Sequence, residues 1–192
     1  MTTDEIVDEL TDELIEGLYK ACFSAKEEYL LKLANENNVS AQLALAELYF
    51  YNDSFDCAYT WFQKATENGS ADALYYIGVY HHDSSGFGVV ENSNEKALDY
   101  ISKAVDAGSA KAMYYLGYYG YICGAFCKPD ERKGIELITK AAKHRNTEAR
   151  HRLSLCYRFG FSGVEKDLKT ALDYETRTYY LLRNRLCRLY PI

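Results

Sequence analysis

A chain of 192 residues and 22.0 kDa can fold as one domain or as a short repeat array. Its apolar fraction of 48% excludes the disordered class, and its net charge of −6 argues against nucleic-acid binding, which needs a basic surface. No secretory leader is visible, and no apolar run approaches the roughly 18 residues of a transmembrane helix. We therefore expect a cytoplasmic location and six reduced cysteines.

The first predicted element is an acidic amphipathic helix over residues 4–19. Its apolar residues recur at steps of three and four, at Ile6, Val7, Leu10, Leu14, Ile15 and Leu18. Residues 1–19 contain seven acidic residues and no basic one: Asp4, Glu5, Asp8, Glu9, Asp12, Glu13 and Glu16. The tail from Arg177 carries Arg183, Arg185 and Arg188 and no acid. These ends predict solvated terminal helices or, alternatively, end-to-end association or a charged partner at each end. A second helix is predicted at about residues 25–36.

The decapeptide from Gly69 to Gly78 returns thirty-nine residues later, from Gly108 to Gly117, with seven of ten residues identical. A period of this size indicates a helical solenoid. Around it, small residues precede large apolar ones by four positions: Ala41 and Leu45, Ala73 and Ile77, Ala112 and Leu116, Ala149 and Leu153. This pattern predicts one inward-facing stripe per helix, continued by Leu48, Tyr80, Tyr119 and Cys156. The next residues, Ala46, Gly78, Gly117 and Ser154, predict close helix packing.

The ends of the helices are also repeated along the chain. Gly69, Gly108 and Arg145 each follow a Lys-Ala pair by five residues, where a left-handed turn ends a helix. Asn37 can take the same conformation, whereas Arg145 takes it only at an energetic cost. Ser93, Asp130 and Asp167 are predicted N-caps of the second helix in each pair. The last helix is predicted at Leu168–Leu189.

These elements resemble the Sel-one-like repeat family, a relative of the tetratricopeptide repeat. The resemblance implies an all-α, right-handed α-α superhelix (solenoid) of about five antiparallel helix pairs, whose first helices line the concave side. We predict a single helical-repeat domain over residues 1–192, with a divergent helix pair at 1–37. Repeats follow at 38–69, 70–108, 109–145 and 146–177, and a capping helix end at 178–192. The resemblance also implies a non-catalytic adaptor that binds another protein.

The positions opposite the inward stripe are candidates for contact with that partner. Those chosen are Tyr75, His82, Lys111, Tyr114, Tyr118, His151 and Arg158, because tyrosine and arginine are enriched at binding hot spots. The alternative is that Tyr75 and Tyr114 pack between successive repeats. We expect a protein partner, no nucleic acid or membrane, and a monomer or weak dimer.

Catalytic and metal sites find little support in the sequence. Cys123 and Cys127 have the spacing of half a zinc site, but a structural site needs four ligands. Neighbouring His81 and His82 point about 100° apart on a helix and do not share one ion easily. We expect no catalytic residue, metal or cofactor, although a metal or a disulfide at Cys123 and Cys127 stays open. The alternative functions are an immunity protein that neutralises a toxin, suggested by acidity, and a cysteine- and histidine-based metal-binding protein or hydrolytic enzyme.

Overall fold

The computed structural model describes residues 23–82 and 88–189, and for residues 180–189 it describes the backbone. All regular elements in these ranges are helices, and the chain divides after Ser70 into two compact units. The helix predicted over residues 4–19 and the residue Asp83 lie outside the described residues. No helix in the described part of the chain is long and apolar enough to cross a membrane.

Residues 23–70 of the first unit contain three helices, α1 (23–35), α2 (Val39–Phe50) and α3 (Phe55–Glu67). The amide nitrogen of the buried Gln42 on α2 donates to the carbonyl oxygen of Ala34 at 3.1 Å. Its amide oxygen accepts a hydrogen bond from Asn68, just after α3, at 2.9 Å. One buried amide therefore links all three helices, around a core formed by Leu45, Ala46, Ala58 and Phe62.

The described residues of the second unit form three helix pairs. Its helices are α4 (Ala71–His82), α5 (Asn94–Asp106), α6 (Ala110–Tyr115, continuing as a π-helix over Leu116–Ile122), α7 (Glu131–Lys143), α8 (Thr147–Phe159) and α9 (Leu168–Leu189). The helix α4 packs on α5, α6 on α7, and α8 on α9, and each pair also contacts the pair that follows it. The bounds of α9 are those predicted from the sequence.

The inward stripe packs as predicted except at Tyr119, and its small residues allow close contact between helices. Ala73, Ala112 and Ala149 are fully buried. A Cβ added to Gly117 on α6 would lie 2.8 Å from the carbonyl oxygen of Gly134 on α7. A Cβ on Gly134 would lie 2.7 Å from the carbonyl oxygen of Gly117. The backbones of α6 and α7 therefore touch at this glycine pair, which compensates for the poor helix propensity of glycine.

The predicted turn residues all have positive φ, namely 60° at Asn37, 88° at Gly69, 90° at Gly108 and 66° at Arg145. After each of them, a backbone N–H returns to a carbonyl five residues earlier: Asn38 to Leu33, Ser70 to Ala65, Ser109 to Ala104, and Asn146 to Ala141. Arg145 thus adopts the left-handed conformation despite its Cβ, at a cost of about 1–2 kcal/mol. The turn geometry is preserved where its usual glycine is missing.

The predicted N-caps fix the loop between the helices of each pair. The side chains of Ser93 and Asp130 accept hydrogen bonds from the N–H three residues later, and the side chain of Asp167 does so from the N–H groups two and three residues later. The backbone N–H of each cap also donates to a carbonyl near the end of the preceding helix, in the pairs Ser93–His81, Asp130–Tyr121 and Asp167–Tyr157. Each cap residue therefore starts one helix and holds it against the end of the previous one.

The prediction that Tyr119 continues the inward stripe is wrong. Tyr119 is 39% exposed, and Gly120 is buried in its place. The cause is the π-helical segment Leu116–Ile122, because its wider turn contains one residue more than an α-helical turn and advances the inward position by one. A Cβ on Gly120 would lie 2.9 Å from Cδ1 of Leu116 and 3.2 Å from the ring of Phe126, so a glycine suits the inward position.

Candidate partner-binding face

Two tyrosines of α6 and one arginine of α8 form a layered arrangement, here called the tyrosine–arginine stack. The rings of Tyr114 and Tyr118 are parallel within 4°, with centroids 6.0 Å apart. The guanidinium carbon of Arg152 lies 3.8 Å from the centroid of the Tyr118 ring. A guanidinium at this distance gains cation–π attraction of about 0.5–2 kcal/mol. The stack therefore joins two successive helix pairs through half-buried side chains.

Burial within the stack raises the pKa of both phenols. Desolvation is the main cause for Tyr114 and for Tyr118, and the nearby Arg152 opposes it by favouring the ionised forms. Both tyrosines are therefore neutral at physiological pH, and their hydroxyl groups can donate hydrogen bonds. The face combines apolar rings, hydroxyl donors and one fixed positive charge.

Arg152 was missed by the sequence analysis, which selected its neighbour His151. Its Nε is buried and has no hydrogen-bond partner among the described residues. Such a nitrogen is unusual, because buried polar groups are normally paired. The available signal was its position seven residues after the Arg145 turn, where the two preceding repeats have Tyr76 and Tyr115. The cation stands at a position that holds an aromatic ring in those two repeats.

Two other candidates, His151 and Arg158, lie on α8. His151 is exposed. Arg158 forms an ion pair with Glu175 of α9, with an Nη2–Oε1 distance of 2.6 Å. The same carboxylate oxygen accepts a hydrogen bond from Ser154 at 2.7 Å. Arg158 is thus held towards α9, whereas His151 is directly accessible.

Lys111 bridges the first helices of two successive pairs. Its Nζ lies 3.8 Å from a carboxylate oxygen of Asp72, 3.3 Å from the hydroxyl of Tyr76, and 4.9 Å from the centroid of that ring. Asp72 also accepts a hydrogen bond from Ser109 at 2.5 Å. Lys111 is a part of the junction between α4 and α6 as well as a candidate for partner contact.

Tyr75 and His82 meet around Tyr115, a residue that the sequence analysis did not select. The Tyr75 and Tyr115 ring centroids are 5.5 Å apart, and the Nδ1 of His82 lies 2.7 Å from the Tyr115 hydroxyl. His82 also contacts the ring of the buried Phe126, with centroids 4.8 Å apart. These contacts favour the alternative stated for Tyr75, packing between repeats, and extend it to His82. The sequence signal for Tyr115 is the repeated Tyr-Tyr pair, at residues 75–76 and 114–115, whose second tyrosine lies at the junction between pairs.

The residues considered for metal binding contact other side chains or carry free thiols. His81 is buried, stacks on Tyr100 and bonds through Nδ1 to the carbonyl of Glu91 at 3.2 Å. Cys57, Cys123, Cys127 and Cys156 carry free thiols, and burial raises the pKa of Cys127 and Cys156. Within the described ranges, no three His, Cys, Asp or Glu residues come together as a metal site.

The chain is similar to a known repeat family and to solved structures that contain its repeat. The family model described as Sel1 repeat matches residues 39–70, 71–109, 110–146 and 147–174, each one residue after the predicted start. A Sel1 repeat protein from Oxalobacter formigenes aligns with a TM-score of 0.67 and 26% identity, over 81% of this chain and 63% of its own. A Sel1 repeat protein from Klebsiella pneumoniae aligns with a TM-score of 0.63 and 23% identity, over 81% and 74%.

A protective antigen of uropathogenic Escherichia coli that displays the same repeat fold aligns with a TM-score of 0.60 and 24% identity. The alignment covers 81% of this chain and 33% of the antigen, so the chain spans less than two thirds of the Oxalobacter and Escherichia proteins. No curated protein shows significant similarity. The helix pairs and these neighbours confirm the predicted fold class, an all-α superhelix.

Proposed function

Because the chain belongs to the Sel1 repeat family, whose members are generally protein-interaction scaffolds, we propose that it is a non-catalytic scaffold that binds another protein. The binding face that we propose is formed by the first helices of successive pairs in the second unit, centred on α6 and α8. Tyr114, Tyr118 and Arg152 are its centre, and His151 and Lys111 lie beside it.

The observation that carries this proposal is the tyrosine–arginine stack. Its side chains are already ordered against one another, so binding costs little further conformational entropy. Tyrosine and arginine are also the residue types that contribute most often to binding hot spots. The contact of Arg152 with the Tyr118 ring, at 3.8 Å, holds the guanidinium in place while the face stays half-exposed. A preformed aromatic and cationic surface of this kind suits a protein ligand.

The remaining candidates divide by their contacts. His151 is exposed and suits direct contact with a partner. Arg158 is fixed by Glu175 and suits the rim of the interface. Tyr75 and His82 support the face from the junction, because both contact Tyr115. We therefore expect substitutions at Tyr118 and His151 to affect binding more directly than substitutions at Tyr75 or His82.

The test is affinity capture with the immobilised wild-type protein, followed by calorimetric titration of the captured partner. The double variant Tyr118→Ala and His151→Ala is compared with the control Tyr29→Ala, which removes a tyrosine that is 66% exposed on α1. Loss of a hot spot costs 1 kcal/mol or more, so we expect the double variant to bind about tenfold more weakly or worse. Equal affinity of the wild type and the double variant would refute the proposal.

A further inference from the structure

Two equivalent grooves lie between successive second helices of the second unit. The α5–α7 groove contains a cavity of about 260 Å³, and the α7–α9 groove contains one of about 340 Å³. The later helix lines each groove with the residues three, six, seven and ten positions after its N-cap, and the earlier helix lines it with the residues twelve and thirteen positions after its own N-cap. The charged residues of the α5–α7 groove are Asp106, Lys133, Glu136 and Lys140, and those of the α7–α9 groove are Lys143, Arg150, Asp173 and Arg177.

The two grooves differ in charge. The lining of the α5–α7 groove has two acids and two lysines, so its charges balance. The lining of the α7–α9 groove has three cations and one acid, so it carries an excess of two positive charges. Its acid, Asp173, is already paired with Arg177, whose Nε lies 3.0 Å from a carboxylate oxygen. Among the described residues, neither Lys143 nor Arg150 forms an ion pair.

Arg150 is an unusual residue at its place in the repeat. It lies five residues after the turn of its repeat, where the three preceding repeats have Gln42, Leu74 and Met113. The Nε of Arg150 donates to the carbonyl oxygen of Ala142 at 2.9 Å, and within the described ranges its side chain makes no other hydrogen bond. A guanidinium has five N–H donors, so the Nη groups of Arg150 keep donors available to a ligand.

The positive charges around Arg150 repel one another. Burial lowers the pKa of its guanidinium, and repulsion from Arg177 and Arg145 lowers this pKa further. An anion in the cavity would remove the repulsion and replace the hydration that the guanidinium loses on burial. The α7–α9 groove therefore combines space for an anion with charge that an anion would balance.

We propose that the α7–α9 groove binds a phosphate monoester. The phosphate group carries about 1.5 to 2 negative charges at pH 7, which matches the two excess positive charges of the lining. A carboxylate would balance one of them. The planar guanidinium of Arg150 can donate two parallel hydrogen bonds to phosphate oxygens, and Lys143 and Arg177 add positive charge.

The size of the cavity is consistent with an ester rather than with the phosphate ion alone. A volume of about 340 Å³ lies at the lower end of the range for small-ligand sites, so the cavity has room for a phosphate and for part of the group that carries it. None of the lining residues belongs to the tyrosine–arginine stack. The site is therefore separate from the proposed protein-binding face.

Calorimetric titration of the full chain with phenyl phosphate tests the charge requirement. Phenyl sulfate is the control ligand, because it has the same ring and a similar tetrahedral group but carries a single negative charge. We expect saturable one-to-one binding of phenyl phosphate, about tenfold tighter than that of phenyl sulfate. Raising the salt from about 0.05 M to about 0.5 M should weaken this binding, because salt screens the charges. No saturable binding of phenyl phosphate, or equal affinity for the two anions, would refute the proposal.

The preceding repeats provide substitutions that the fold already accepts at the equivalent positions. Arg150→Met introduces the residue type of Met113 on α6, and Lys143→Asp introduces that of Asp106 on α5. Each variant should bind phenyl phosphate about tenfold more weakly or worse, because each removes a cation from the lining. Wild-type affinity in Arg150→Met would overturn the assignment of the site.

A matched pair of variants separates the site from the general charge of the surface. Arg177→Met and Lys140→Met each remove one cation, from equivalent positions of the α7–α9 and α5–α7 grooves. Arg177→Met should weaken the binding of phenyl phosphate, whereas Lys140→Met should bind it like the wild type. An equal loss in the two variants would mean that the anion responds to net charge alone, and the proposed site would be wrong.

Circular dichroism and thermal melting will show whether each variant folds. Phenyl phosphate should also raise the melting temperature of the wild-type protein, because a ligand that binds the folded state stabilises it. If Arg150→Met does not fold, the exposed Lys143 provides the test through Lys143→Asp. A melting temperature that phenyl phosphate raises equally in the wild type and in Lys143→Asp would contradict the proposal.

A short peptide with one phosphotyrosine between glycine and serine residues distinguishes the two sources of such a group. Binding at least as tight as that of phenyl phosphate would assign the groove to a phosphorylated side chain of a protein. Binding of phenyl phosphate without the peptide would assign it to a small phosphorylated molecule. In both cases Arg150→Met should lose the binding, and binding that persists in this variant would rule out the groove as the site.

Discussion

The substitution Gly117→Ala adds one methyl group where α6 touches α7. A Cβ at this position lies 2.8 Å from the carbonyl oxygen of Gly134, 2.9 Å from Cγ1 of Ile138 and 3.1 Å from Cβ of Leu137. The nearest obstacle is backbone, so a change of side-chain rotamer cannot relieve it. The two helices have to move apart, and the buried contacts along their interface have to loosen with them.

The magnitude follows from two opposing effects. Overpacking of a well-packed core costs about 1–3 kcal/mol. Alanine recovers up to about 1 kcal/mol through its better helix propensity. We therefore expect the free energy of unfolding to fall by about 1–2 kcal/mol, which for a chain of this size lowers the melting temperature by about 2–8 °C.

Thermal and urea unfolding, followed by circular dichroism, measure this change. The control is Gly108→Asn, because a Cβ on Gly108 meets no atom within 4 Å and Asn37 takes the same left-handed conformation at the equivalent turn. This control should change the stability by less than about 1 kcal/mol, since asparagine tolerates positive φ. If Gly117→Ala melts at or above the wild-type temperature, the glycine contact does not restrict the distance between α6 and α7.

Three further predictions concern single residues. In the folded protein a thiol reagent should modify the exposed Cys123 quickly and the buried Cys156 only on unfolding. Burial blocks access to Cys156 and raises the pKa of its thiol, so little reactive thiolate forms. Mass spectrometry identifies which cysteine has been modified. Arg145→Gly should raise the free energy of unfolding by up to about 1 kcal/mol in urea titrations, because glycine removes the cost of positive φ but adds chain entropy. Burial, followed by the hydrogen bond to Glu27, raises the pKa of Tyr49 from 10.0 to about 12, so folding favours the neutral phenol. Its contribution to the free energy of unfolding is complete below pH 10 and is lost as the pH rises towards 12. The variant Glu27→Gln should reduce this loss in urea titrations at pH 10 and pH 12.

The sequence was sufficient to predict the helix pairs, because the repeat constrains several positions at once. The spacing from Ala112 to Leu116 and Gly117 specifies which side of α6 faces its partner helix. The caps at Asp130 and Asp167 specify where the second helices begin. Each signal is weak by itself, but its recurrence after every turn specifies where the helices begin and end and which side of them is buried in their regular α-helical parts.

The candidate binding face was less predictable for two physical reasons. The sequence contains no simple pattern that predicts the π-helical segment. The shift of the inward position from Tyr119 to Gly120 therefore could not be predicted from the spacing of the apolar residues. The pairing of Arg152 with Tyr118 joins residues of different helices, and helical spacing within one repeat says nothing about such a contact. In the same way, the partial burial of Tyr75 and His82 between repeats depends on their contacts with Tyr115 of the next pair.

Two cation–π contacts of the second unit join the first helices of successive pairs and support a proposed binding face centred on α6 and α8. Lys111 of α6 lies 4.9 Å from the Tyr76 ring of α4, and Arg152 of α8 lies 3.8 Å from the Tyr118 ring of α6, so each cation reaches back to the preceding first helix. The lysine is also held by Asp72, and its ring partner is buried. The planar guanidinium can stack on a half-buried ring and still present donors to a ligand. The second unit therefore uses cation–π contact between successive first helices twice, in the junction between α4 and α6 and in the proposed binding face of α6 and α8.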